Sequence, residues 1–240
     1  MHRGGLMQPG GLMLSGGLML SIDTCGPSGS VALGRLAGRD LKVLGQTELA
    51  GRTYSSTLVS AVAELLKGNG VSLSDLGGII ALSGPGSFTG VRVGLSAVKG
   101  LAEGGQIPVV AISRLLVLSR KAEVPSCALD AHRSEVFLRA EEMGQAPREL
   151  LAGERELAAI NPVPVRVAVC DDGAAVLLQN AWPSTQIVRC AAPLASDALR
   201  LGESRLIAGP VEDLALLDGH YLRRSDAEIF GEATAAGQKR

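Results

Sequence analysis

Two aspartates stand where apolar runs end and turns begin. Asp23 follows Leu20-Ser-Ile22 and precedes Thr24 and the turn Gly26-Pro-Ser-Gly29. Asp130 follows Ser126-Cys-Ala-Leu129 and precedes Ala-His-Arg-Ser134. A carboxylate at a strand end can hold metal-bound water, and the N–H groups of a tight turn can face phosphate oxygens. The same residue types serve equally as turn-forming or capping aspartates, which need no ligand. A third acidic turn, Asp171-Asp172-Gly173, closes another apolar run. His132 and Arg133 admit two readings: lining a cleft, or sitting in a solvated hairpin turn.

Other catalytic patterns are missing. The loop Gly84-Pro-Gly-Ser-Phe-Thr-Gly90 lacks the lysine that a Walker A loop places before its Ser/Thr. It misses the dinucleotide fingerprint too, because Thr89 stands where glycine is needed. His2, His132 and His220 show no HxxH or HxxxH spacing, so no helical metal pair is formed. No nucleophile elbow exists around any serine. No catalytic residue and no metal site are assigned.

Elements must hold the two aspartates in place. A helix is predicted to open at Ser87, whose hydroxyl is placed to cap its first free N–H groups. Gly90, Gly94, Ala97 and Leu101 form one stripe of that helix. Val91, Leu95, Val98 and Ala102 form an adjacent apolar stripe, and Arg92, Ser96, Lys99 and Glu103 a polar one. Glycine inside a helix costs about 1 kcal/mol against alanine, so two on one stripe predict that another backbone comes close. A second helix is predicted over 55–67, with Leu58, Val62, Leu65 and Leu66 on one face and Gly68-Asn-Gly70 as its end.

Strands are predicted at 20–24, 30–36, 42–49, 79–83 and 108–112, making a first mixed α/β unit. A second unit follows a helix over 113–122, with strands at 126–129, 135–140 and 162–169. Asp23 and Asp130 occupy matching places in the two units, which suggests a duplicated architecture. A helix over 195–208 is expected to return toward the first unit.

At 240 residues the chain can bury a sizeable core. Its net charge of −1 leaves no electrostatic footprint for nucleic acid. Six aromatic residues offer little stacking surface for single-stranded RNA, so no tight RNA binding by this chain alone is expected. The four cysteines contain no CxxC pair and read as small buried hydrophobes of a reducing compartment. Gly-Gly-Leu-Met recurs at positions 4, 10 and 16, too broken by glycine for a signal peptide and too short for a membrane span.

Residues 84–100, Gly-Pro-Gly-Ser-Phe-Thr-Gly-Val-Arg-Val-Gly-Leu-Ser-Ala-Val-Lys-Gly, resemble the signature of the bacterial TsaB (YeaZ) family. Ile22-Asp-Thr24 with Ser30-Val-Ala-Leu33, Asp130 to Phe137, and Tyr221-Leu-Arg-Arg-Ser-Asp226 fit the same family, in the expected order. The resemblance implies a two-lobed actin-like ATPase (ribonuclease H-like) α/β fold with a reduced second lobe. It implies a non-catalytic subunit that binds and activates TsaD, the transferase that modifies the adenosine next to the tRNA anticodon. TsaE would join as a ternary partner, a homodimer would be an alternative assembly, and tRNA would be reached only through the complex.

On that resemblance the TsaD interface is expected at Leu58, Val62, Gly90, Gly94, Ala97 and Leu101. Asp23, Thr24 and Asp130 would be a vestigial nucleotide site, with no cofactor required by this chain and ATP with magnesium confined to the complex. Asp171 stands where relatives have glycine, and Tyr54 where the family often has histidine. A small ATPase or kinase, a glycoprotease and a self-associating scaffold are the rival readings. The expected divisions are a disordered leader or upstream-start extension over 1–18, a first lobe over 19–112, a second over 113–194, a returning segment over 195–226 and a mobile tail over 227–240. The protein is expected in the cytoplasm, away from membranes.

Overall fold

Among the described residues, ten strands form two five-stranded sheets that share one topology. The computed structural model describes residues 17–223, except 39, 52 and 142–145. The expected leader up to residue 16, the expected tail and Arg224 lie outside the described residues. The first sheet contains β1 (Leu18–Asp23), β2 (Ser28–Ala37), β3 (Asp40–Ala50), β4 (Leu76–Leu82) and β5 (Val109–Ile112). Its order is β3-β2-β1-β4-β5, antiparallel from β3 to β1 and parallel from β1 to β5.

The second sheet holds β6 (Cys127–His132), β7 (Glu135–Ala140), β8 (Arg148–Ala152), β9 (Arg166–Val169) and β10 (Gln186–Arg189). Its order, β8-β7-β6-β9-β10, repeats the first in both sequence and direction. Strands β2 and β3 run 10 and 11 residues where β7 and β8 run 6 and 5, so the second lobe is the smaller copy. One boundary needs correction. Leu18, expected in the leader, is buried in β1 and pairs with Arg35 and Leu76.

Alternation along the strands assigns the helices to faces. In the first sheet, Gly45 meets Leu65 of α1 (Tyr54–Gly68), while Gly34 meets Leu199 of α6 (Ala195–Ala208). Leu33 is the register partner of Gly45, so these contacts fall on opposite faces. Helix α2 (Phe88–Gly105) lies beside α1. The returning helix α6 fits closely through Gly202 against Ile80 and Leu206 against Gly78.

In the second sheet, Val136, Leu138, Val167 and Val169 face α5 (Asp172–Ala181) and the short α4 (Glu154–Ala158). Phe137, Ala168 and Leu129 pack instead with Leu115 and Leu118 of α3 (Arg114–Ala122), the helix joining the two sheets. The chain then crosses back. Glu212 donates its N–H to Val109 O, His220 donates its N–H to Ser83 O, and Arg223 pairs with Glu135 of the second sheet.

Candidate functional site

Helices α1 and α2 leave an apolar groove of about 460 Å³ between them, lined by Tyr54, Ser55, Leu58, Val59, Arg92, Val93, Ser96 and Ala97. Ser87 caps α2, accepting from Gly90 N at 3.2 Å, and the buried stripe is Val91, Leu95, Val98 and Ala102 with both glycines. That changes the expected interface. Gly90 and Gly94 do not face outward: a β-carbon on Gly90 would strike Thr24 O, and one on Gly94 would strike Thr24 Oγ1. The close approach is by a backbone at Gly90 and by a side chain at Gly94, and in both cases it comes from Thr24 after β1 of the same lobe.

Val62 is likewise core, at 2% exposure, and Leu101 packs partly buried against that core. Leu58 and Ala97 reach the groove. The sequence reading missed Val59, which is 59% exposed, and Val93 on the facing wall. Their signal was an apolar residue just off the buried stripe. At the end of the groove Arg92 lies 3.7 Å over the Phe88 ring and donates to Tyr221 Oη at 3.2 Å, which anchors the returning segment there.

The Asp23 cleft is filled. Asp23 is 1% exposed; one carboxylate oxygen accepts the Cys25 N–H at 2.8 Å and the other faces Arg114 Nε at 3.2 Å. Thr24 Oγ1 donates to Gly90 O at 2.7 Å, and Tyr54 Oη donates to Gly26 O at 2.9 Å. Burial acts to lower the Arg114 pKa, but Asp23 and its neighbours outweigh it and raise it above the ordinary value. Burial beside Asp23 drives the Cys25 thiol well above its ordinary value and Tyr54 to about 12. These residues do not fit a nucleotide with its magnesium, because the carboxylate has no free oxygen facing solvent.

Asp130 stands apart from that cluster. Its carboxylate accepts the His132 N–H at 2.7 Å and lies 3.1 Å from His132 Nδ1, while its own N–H goes to Asp171 at 3.0 Å. Asp171, read as a turn residue, is the N-cap of α5 and accepts from Ala174 N at 2.7 Å. His132 is exposed in the hairpin turn, which favours the solvated reading for it. Among the described residues no group of three His, Cys, Asp or Glu side chains is arranged to hold a metal ion. No helix among them is long and apolar enough to cross a membrane.

A second polar hub ties the lobes together. Glu149 accepts from Ser113 Oγ at 2.6 Å and from Arg139 at 2.8 Å, and stands 2.9 Å from His220 Nε2. Burial acts to raise its carboxyl pKa, but bonds from His220, Ser113 and Arg139 lower it below the ordinary carboxylate range.

The sequence pattern of the family described as "TsaD: tRNA N6-adenosine threonylcarbamoyltransferase" matches residues 45–154. The tRNA threonylcarbamoyladenosine biosynthesis protein TsaB of Escherichia coli K12 is 34% identical over 123 residues, 49% of this chain and 52% of that protein. TsaB of Haemophilus influenzae is 38% identical over 96 residues, 38% of this chain and 41% of its own length. The structure of YeaZ from Pseudomonas aeruginosa superposes with a TM-score of 0.67 at 26% identity, covering 85% of this chain and 99% of that one. The chain is thus similar to TsaB (YeaZ) proteins, in sequence over up to about half its length and in fold over most of it.

Its α/β fold of two lobes, with the smaller copy second, is the fold of that YeaZ structure. The chain spans about half the length of the curated TsaB relatives it matches.

Proposed function

We propose that this chain is the non-catalytic subunit of a complex that makes threonylcarbamoyladenosine on tRNA, and that it docks the transferase TsaD through the α1–α2 groove. The observation that carries the reading is an open apolar groove, walled by Val59 and Val93, on the face opposite α6. The TsaD family pattern runs across both groove helices, so a TsaD chain has equivalents of α1 and α2 to offer in return. Two such faces pair about an approximate two-fold axis, which also makes a homodimer of this chain the natural competitor. The filled Asp23 cleft supports a chain with no ATPase or kinase activity of its own, any ATP and magnesium being needed by the complex rather than by this chain. TsaE joins as a further partner, tRNA is reached only through TsaD, and the cytoplasm is the working compartment.

Reconstitution tests this reading. TsaD supplied with threonylcarbamoyl-adenylate and tRNA should modify the adenosine faster when this chain is added, and this chain alone should modify none. Equal modification with and without it would overturn the proposal.

A further inference from the structure

We propose that Arg114 is a built-in cation, standing where a divalent ion would otherwise compensate the buried Asp23, and that it fixes both walls of the α1–α2 groove from inside. The second half rests on the docking role proposed above; the first does not.

Asp23 is a buried carboxylate at the end of the central strand, and such a charge is stable in a fold only when compensated. A hydrated divalent ion is one compensation, because it is bound through carboxylate and water oxygens. Here the compensation is a side chain. Arg114 is 5% exposed and bonds Asp23 through Nε. Arg114 is also the first residue of α3, where the positive end of the helix dipole disfavours a cation. The carboxylate opposite accounts for a buried arginine there.

The turn after β1 is closed around this pair. A β-carbon on Gly26 would lie 2.5 Å from the Arg114 guanidinium, and one on Gly29 would lie 2.8 Å from the Tyr54 ring. The space a phosphate would enter is therefore occupied from α3 on one side and α1 on the other.

The same contacts run outward to the groove. Gly26, against which Arg114 packs, accepts the Tyr54 hydroxyl at the start of α1. Asp23, held by the Arg114 guanidinium, accepts the Cys25 N–H at 2.8 Å, and Cys25 O accepts from the main-chain N–H of Ser87 at 2.8 Å, at the cap of α2. Tyr54 lines one wall of the groove, and Arg92 and Val93 of α2 line the other. Arg114 thus holds the entry of each groove helix without touching the groove, which makes it a positioning residue.

The experiment uses the full chain and two variants, Arg114→Ala and Arg114→Ala with Asp23→Asn, melted in sodium chloride, magnesium chloride or low-millimolar guanidinium chloride at matched ionic strength. Wild type should be indifferent to the added cation. Arg114→Ala should melt several degrees lower and regain part of that loss in magnesium or guanidinium, and the double variant should lose the response. If Arg114→Ala does not fold, Asp23→Asn with Arg114→Met, which removes both charges at similar volume, should fold and melt near wild type. A folded Arg114→Ala with no cation response, a wild type stabilised by magnesium through Asp23, or a charge-free pair that fails to fold would each overturn the built-in cation.

Affinity for TsaD is then measured with Arg114→Ala, with and without the rescuing ion, or with the charge-free pair if the alanine variant does not fold. A several-fold loss that the ion or the neutral pair restores supports the link to the groove. Restored melting with unrestored affinity, or an affinity unaffected from the start, overturns that link while leaving the built-in cation intact. Wild type that never binds TsaD would instead defeat the docking proposal.

Discussion

The hydroxyl of Thr24 lies directly against Gly94, so closely that a β-carbon at position 94 would collide with it, while the same hydroxyl donates to Gly90 O at 2.7 Å. One threonine at the end of β1 thereby fixes the height at which α2 crosses the sheet. In an open helix, Gly94→Ala would help by about 1 kcal/mol through propensity. Here it should cost about 1–3 kcal/mol by overpacking. Urea unfolding reads the sign directly, and a stabilised Gly94→Ala would mean that α2 is free to shift.

The β6–β7 hairpin carries backbone strain. His132, Arg133 and Ser134 have φ of 60°, 56° and 60°, and Arg133-Ser134 form a two-residue loop. Left-handed backbone costs an L-residue about 1–2 kcal/mol, and glycine escapes it. Ser134→Gly should therefore stabilise the protein by up to about 1 kcal/mol, as read by the urea midpoint. A loss of stability would show that the serine side chain compensates for its backbone.

Asp171 holds two N–H groups, those of Asp130 and Ala174. Asp171→Ala should cost at least the roughly 1 kcal/mol of a lost N-cap, and more because the β6 end loses a bond as well. Asp171→Asn, which keeps an acceptor, should recover most of it. If both variants melt like wild type, the cap does not contribute.

Alkaline pH should weaken the fold. Tyr54 is pushed up to about 12 and Cys170 to about 11, both chiefly by burial, and the Cys25 thiol is raised well above its ordinary value of 9.0. A group with a raised folded pKa keeps its proton in the fold while the unfolded chain has lost it. Its stabilising contribution is complete below the unfolded value and declines as pH rises toward the folded one. The unfolding free energy should be flat near neutrality and fall from about pH 9 to 12. Tyr54→Phe should fall less steeply over the upper part of that window; an identical slope would remove Tyr54 from the effect.

Much of this architecture was legible because it rests on strong local signals. Ser87 as cap, the stripe Val91-Leu95-Val98-Ala102 and the Gly68-Asn-Gly70 stop each follow from one helical period or one turn residue. The returning helix was legible too, through Leu199 and Leu206. Strand β9 starts at Arg166 rather than at 162 because Pro162 and Pro164 precede it and cannot donate to the ladder. Helix α5 was read as a turn because Asp171-Asp172-Gly173 looks like one until Asp171 is seen to cap it. Strands β8 and β10 are short and half-exposed, so their period-two signal is weak.

The site was harder to read. That something comes close to Gly90 and Gly94 was legible, but not that it is Thr24, through its carbonyl at Gly90 and its side chain at Gly94, because sequence spacing is silent about what lies 66 residues away. Arg114 left one clue, a cation at the start of an apolar helix.

The most direct test of the docking role is the affinity of TsaD for two matched surface variants of this chain. Val59→Asp puts a charge on the groove wall, where the side chain is 59% exposed; Val176→Asp puts one on α5 of the second lobe, at 60% exposure. Both should fold, since neither site is buried, and a calorimetric titration reads each affinity. TsaD binding should fall at least tenfold for Val59→Asp and stay at wild-type strength for Val176→Asp. Unchanged affinity for Val59→Asp, or an equal loss in both variants, would contradict docking through the α1–α2 groove.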